Sequence, residues 1–467
     1  MKKIYFLILL LFSANAAHAA LPVAVYEVRS SATAGNVNGG GFNSARGGTD
    51  YTLQDAAQVH STDGVSTAST NFTSVTGGFT DAMKGNFLHL TAATGTPTVG
   101  WYEIVSVTDA NTIVLDRVSG TYTLADFYIG GAMSLNSTLD DDFFEIVHAP
   151  DGSTVYIKSG SYTLGESMLT TGGGSSTAPV QVLGYNATRG DNPTGADRPT
   201  IDCTASFSIA TGIGDYWIFK NLILTGGSSQ VLWSDGIGGL GNIYENLKIT
   251  NTSGTANRTA LLGGGGGLVI NCELVSTNGY GLRVDGTVRV IVNYIHDSVI
   301  GIYNASGGIT GIFNIIESCS TAAIQLGSAE NDHNFFYNTL YGAETPAGIG
   351  FHLPTTTSIR CRFVGNIIYG FTTGASGGSN TTSNFWDYND FYNNTTDRTN
   401  VTAGDNDLAV DPQFTAAASG DFSIGTNLKA AGFPGAFQGG LSTGYLDVGA
   451  VQRQEASAST DLLGVIE

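Results

Sequence analysis

The chain has 467 residues, a formal net charge of −20, 12% charged residues and 64 glycines. So acidic a surface repels nucleic acid and anionic membranes, which excludes both as main partners. Hydrophobic content of 42% supports a large core, but the length exceeds what one ordinary core organises, so the chain must divide into domains or grow as a repeat array.

Met1-Lys2-Lys3, the apolar run Ile4 to Phe12 and Ala17-His18-Ala19 stand in the order of a secretory leader. The run is too short to span a bilayer as a helix, so residues 1–19 read as a signal peptide, no membrane span follows, and the mature protein is expected to be secreted. Residues 20–135 are rich in Gly, Thr and Ser. Strand candidates lie at Asn86–Leu90, Trp101–Val107 and Thr112–Asp116, with Asp109-Ala-Asn as a hairpin turn between the last two. This stretch reads as a small β-rich N-terminal domain or cap. Phe143 to Ala149 is a candidate capping element. Thr154-Val-Tyr-Ile-Lys and Pro179-Val-Gln-Val-Leu then open the main body.

From there the chain repeats weakly. Asn221, Asn246, Asn271, Asn293, Asn314, Asn338 and Asn366 each precede a short apolar stretch, at spacings of 21 to 28 residues, and Asn389 adds an eighth. A strand-rich period of this size means a solenoid. The fixed leucine spacing of leucine-rich repeats is absent, propeller blades need longer periods, and left-handed β-helices show hexapeptide regularity. Coils of irregular length suit a right-handed parallel β-helix, expected over residues 136–411. Asn tolerates left-handed backbone at tight bends, and its amide both donates and accepts, so stacked copies can bond along the axis.

A second strand ladder runs through Leu232-Trp-Ser, Leu282-Arg-Val, Ile302-Tyr-Asn, Ile324-Gln-Leu and Ile349-Gly-Phe-His. Its alternation predicts one buried and one solvent face. Residues 412–454, with Pro412, Pro434 and many Gly, read as an irregular C-terminal capping segment that packs along the helix side or covers its C-terminal end, and 455–467 as a flexible tail. Cys203, Cys272, Cys319 and Cys361 lack metal-site spacing and read as buried free thiols in coils rather than disulfides.

The chain resembles the right-handed parallel β-helix repeat proteins of the pectate-lyase-like superfamily. The resemblance is carried by Gly152-Ser-Thr-Val-Tyr-Ile-Lys-Ser-Gly-Ser-Tyr-Thr, Arg189-Gly-Asp-Asn-Pro-Thr-Gly-Ala-Asp-Arg-Pro-Thr-Ile, Trp217-Ile-Phe-Lys-Asn-Leu, the Asn-led coils, and Val410-Asp-Pro-Gln-Phe with Asp447-Val-Gly-Ala-Val-Gln. It implies an all-β fold and contact with a polysaccharide or cell-surface glycan. It is weak for activity, because one scaffold hosts many functions. Among such proteins, lyases use a Lys or Arg base, often with calcium, and hydrolases use clustered Asp residues. Neither pattern is clear here.

The outward column of the second ladder is the leading binding candidate: Trp233, Arg283, Tyr303, Gln325 and His352. Aromatic rings stack on sugar faces, and Arg pairs with carboxylates bidentately. Scattered exposed aromatics are also ordinary. For catalysis, Arg283, Asp285 and His296 are candidates, against the plainer reading of a surface ion pair and a turn cap. Asp405, Asp407 and Asp411 form an oxygen-rich loop that could take calcium, though without EF-hand spacing. The expected function is polysaccharide binding, with cleavage of lyase or glycoside-hydrolase type as an extension. The alternative is a non-catalytic adhesin or a fibre- or tailspike-like rod.

Overall fold

The computed structural model describes residues 23–33, 37–134, 150–164, 173–203, 210–227, 230–234, 239–327, 332–343, 347–353, 360–378, 383–433 and 446–452. The expected leader, the 143–149 capping element and the 455–467 tail lie outside them. Among the described residues, no helix is long and apolar enough to cross a membrane. The chain divides into two compact units, one holding Ser31–Met133 and the other holding Val25–Ser30 and the chain from Ser134 onward.

The smaller unit is a closed barrel. Its strands, in chain order, are Val59–Thr67, Asn71–Thr73, Phe87–Pro97, Gly100–Asp109, Thr112–Leu115 and Gly120–Ile129. The expected hairpin turn is present: Asp109 Oδ1 accepts from the backbone N–H of Asn111 at 2.7 Å, the local bond that makes Asp a turn former. Closure removes sheet edges, and the interior is filled by side chains such as Phe72, Leu88, Tyr102, Ile104 and Phe127.

The larger unit is a parallel β-helix. Each coil lays down three strands, for example Gly267–Ile270, Glu273–Ser276 and Gly279–Asp285, and the next coil adds Val288–Ile291 beside the first of them. Stacking of coils makes three parallel sheets. The first sheet runs from Val25–Val28 to Phe385–Asp387. Among the described residues the second has 10 strands, from Ser161–Thr163 to Asp390–Tyr392, and the third has 9, from Ala210–Ile213 to Thr396–Thr399. Val25–Val28 comes from the stretch read as N-terminal domain, yet it pairs in parallel with Thr154–Lys158. Glu27 on this strand is fully buried, and its carboxylate is met by Arg29 and by Arg189, each at 2.8 Å, and by the Tyr185 hydroxyl. A buried carboxylate is tolerable only with such complete pairing.

The expected column of seven asparagines is in fact two columns, offset by one residue. In the first coils Asn221, Asn246 and Asn271 themselves take the left-handed bend, with φ of 61°, 52° and 53°. From the next coil on, the bend falls one residue earlier, on Val292, Phe313, Tyr337, Gly365 and Tyr388. The asparagine then turns inward, where Leu222, Leu247 and Cys272 sit in earlier coils. Asn314 shows the arrangement: its amide donates to Asn338 Oδ1 and to the Val290 carbonyl, each at 2.8 Å. Its own oxygen accepts from the backbone and side-chain N–H of Asn293 at 3.0 and 2.9 Å. The chain of carboxamides continues through Asn338, Asn366 and Asn389. Every polar atom in the ladder finds a partner, so it stabilises rather than penalises burial. It also offsets the left-handed backbone of bulky residues such as Phe313 and Tyr337, about 1 kcal/mol each.

The four cysteines are free and buried, as expected. The C-terminal segment takes the first of its two expected places, along the side of the helix. It packs along the outer face of the second sheet, where Phe422, Ile424, Leu428 and Val448 join Tyr341, Ile367 and Tyr369 in one apolar cluster.

Candidate functional site

The third sheet places the expected binding residues in one register column. Arg283 pairs with Tyr303, Tyr303 with Gln325, Gln325 with His352, and His352 with Ser376. Alternation explains the exposure: Leu282, Ile302, Ile324 and Phe351 point inward, so their successors point out. Trp233 reaches the column through Leu262, a coil that the sequence ladder skipped. The Trp233 side chain lies outside the described ones.

The column has a distinct chemistry. Tyr303 stacks on Tyr280 with ring centroids 4.6 Å apart. Arg283 grips Asp285 with two bonds of 3.0 Å, Nε to Oδ1 and an outer nitrogen to Oδ2. Beyond this pair, the Tyr303 hydroxyl, the Gln325 amide and the His352 ring make no hydrogen bond within the described protein. His352 Nδ1 is buried without a partner, and burial holds the ring's pKa below the usual histidine value.

His296 stands elsewhere. It lies on the second sheet, in the strand Tyr294–His296, whereas Arg283 and Asp285 lie on the third. The three expected catalytic residues therefore do not form one site: consecutive strands of a coil belong to different sheets. His296 Nε2 meets Glu273 Oε1 at 3.3 Å, and Nδ1 meets Asp297 Oδ2 at 2.8 Å. Glu273 also accepts from Lys248 Nζ at 2.7 Å. The bond from His296, followed by Lys248, outweighs desolvation and holds the Glu273 carboxyl at about 2. Burial opposes the charge on His296, but its two carboxylates prevail and raise its pKa. Burial raises the pKa of Glu317, which accepts from the Tyr294 hydroxyl. The sequence reading missed Glu273, Tyr294 and Glu317. The signal was there: His296 and Glu317 are each the third residue after a ladder asparagine and pair in register. All these groups are partnered, which marks an ion-pair and hydrogen-bond network on the sheet face.

The expected calcium loop is also put to structural use. Asp407 Oδ1 ends the asparagine ladder, accepting from the backbone and side-chain N–H of Asn389 at 2.9 and 3.1 Å. Its Oδ2 takes Arg398 at 2.7 Å and the Gly404 N–H at 2.8 Å. Asp411 caps the Gln413 N–H. Asp405, Asp407 and Asp411 are not gathered around a common point, and no cluster of three His, Cys, Asp or Glu side chains among the described residues could hold a metal ion.

No family model and no curated protein matches the chain. Solved structures do. A pectate lyase is similar at 14% identity over 69% of this chain and 92% of its own, with a TM-score of 0.46. A family PL6 polysaccharide lyase from Pseudopedobacter saltans is similar at 12% identity over 67% and 98%, with a TM-score of 0.30. The A-module of a mannuronan C-5 epimerase from Azotobacter vinelandii is similar at 13% identity over 56% and 90%, with a TM-score of 0.26. The fold is the parallel β-helix expected from the repeats, and the strand register given above carries that statement.

Proposed function

We propose that this is an exported polysaccharide-binding protein that holds its ligand along the outer face of the third sheet. One observation carries the reading: in three successive coils, Tyr303, Gln325 and His352 offer polar groups that no described residue bonds. Half-exposed polar groups without a protein partner are open to water or to a ligand, so such a row is suited to an external partner. Successive rungs lie about 4.8 Å apart, which lets a polymer present successive groups to successive side chains. The stacked Tyr280–Tyr303 pair adds aromatic surface beside them.

A rod without a ligand would give no reason for this row. Cleavage would need converging acid–base groups on the column, and there Asp285 is held by Arg283 while the His296 network stands on another sheet. The test is retention of the mature protein on a panel of polysaccharides, with reducing ends and unsaturated-uronate absorbance read in the same reactions. Tyr303→Ala is expected to abolish retention, whereas Tyr294→Ala on the second sheet is expected to leave it unchanged. Equal retention in both variants would remove the third sheet from the account.

A further inference from the structure

We propose that the polysaccharide held by the third sheet is neutral, built of sugars without carboxylate or sulfate groups. This rests on the reading above and narrows it.

The argument is one of charge. A polyuronate carries a negative charge on every residue, and each carboxylate brought against a surface needs a cation to replace its water. The column offers none. Its single cation, Arg283, is held bidentately by Asp285, which cancels its charge and occupies the Nε edge of its guanidinium. Its register neighbours are the buried Leu262 and the uncharged Tyr303. Gln325 is neutral. His352 has no carboxylate partner, and its lowered pKa keeps the ring uncharged at neutral pH.

The other arginines of the sheet stand at register positions outside the column. Arg258 aligns with Gly279 at the start of the strands, four residues before Arg283, roughly 13 Å away at the rise of a strand. Arg398 lies over the Phe391 ring at 3.8 Å and is paired with Asp407. The protein as a whole carries −20 and repels a polyanion at long range.

What the column does offer suits hydroxyl groups. The Gln325 amide gives two donors and an acceptor, the Tyr303 hydroxyl one donor and an acceptor, and a neutral imidazole one of each. Tyr rings stack on the C–H faces of sugars. With no carboxylate to bridge, such binding needs no calcium.

Affinity electrophoresis tests this, with the full mature chain run through gels holding mixed-linkage β-glucan, galactomannan, arabinoxylan or dextran, and through gels holding polygalacturonate or alginate. Each is run with calcium and with EDTA. The double variant Gln325→Ala/His352→Ala is run beside the wild type, with its fold checked by circular dichroism. Retention is expected on at least one neutral polymer, on neither polyuronate, and equally with calcium and with EDTA. The double variant is expected to bind about tenfold to hundredfold more weakly, the loss of two hydrogen-bonding groups. Retention on polyuronates alone, or only with calcium, would overturn the neutral-glycan inference and leave polysaccharide binding standing. Retention on no polymer would overturn both. Neutral binding untouched by the double variant would overturn the assignment to this column.

Discussion

The outer faces of the second and third sheets are built from the same coils, yet they are used in opposite ways. On the second sheet the outward side chains are consumed by the protein. Lys248, Glu273, His296 and Asp297 bond one another, Tyr294 bonds Glu317, and Tyr341 and Tyr369 lie under Phe414 and Phe422 of the C-terminal segment. On the third sheet Tyr303, Gln325 and His352 make no hydrogen bond among the described residues. Two faces with similar residue types thus separate by whether their polar groups are satisfied. A satisfied face contributes to stability, and an unsatisfied one is available to a ligand.

This contrast can be broken by substitution, and the largest effect should come from the covered face. Phe422 is 1% exposed and meets Tyr341 at 5.4 Å between ring centroids. Phe422→Ala is expected to destabilise the β-helix by about 3–4 kcal/mol through lost burial and a cavity, as read by chemical denaturation. No change in midpoint would mean the C-terminal segment is not held on the second sheet.

A smaller, pH-dependent effect is expected at Asp390, also on the second sheet and fully buried. One carboxyl oxygen accepts from the Val410 N–H at 2.9 Å, and the other has no partner. Burial raises its pKa to about 7. The unfolded chain releases this proton near pH 4, and the folded protein holds it until about pH 7. This group's contribution to stability therefore falls as pH rises from about 4 to about 7 and is flat above that, a loss of at most about 4 kcal/mol. Asp390→Asn removes the titration. It is expected to be more stable than wild type at pH 8, by about 2 kcal/mol, and to lose the advantage near pH 4. An advantage independent of pH would show that Asp390 is not protonated in the fold.

The smallest stability effect belongs to the open face. Gln325→Ala should change unfolding free energy by less than about 0.5 kcal/mol, because no described residue uses the amide. A loss above 1 kcal/mol would show that Gln325 has an internal role.

Much of the architecture is legible in the sequence. The asparagine spacing gives the coil length, and strand alternation places Arg283, Tyr303, Gln325 and His352 on one outer column. What misleads is the turn. Asn271 and Asn293 look equivalent, but one takes the left-handed bend and the other lies inside it, because the bend moves back by one residue to Val292. Spacing cannot reveal a one-residue shift in coils of variable length. That shift hides the column His296, Glu317, Tyr341, Tyr369 and Tyr392 on the second sheet. The Arg283–Asp285 pair is local and was readable, whereas the separation of His296 from it depends on which sheet each strand joins. Asp407 is legible as a carboxylate in a loop, but its partners, Asn389 and Arg398, are set by the end of the stack.

The most direct test of the contrast is hydroxyl-radical footprinting with and without a retained polysaccharide. Ligand is expected to protect Tyr280, Tyr303 and His352 and to leave Tyr294 and His296 as reactive as before. Protection of Tyr294 and His296 with none at Tyr303 would contradict the account, and would move the binding face to the second sheet.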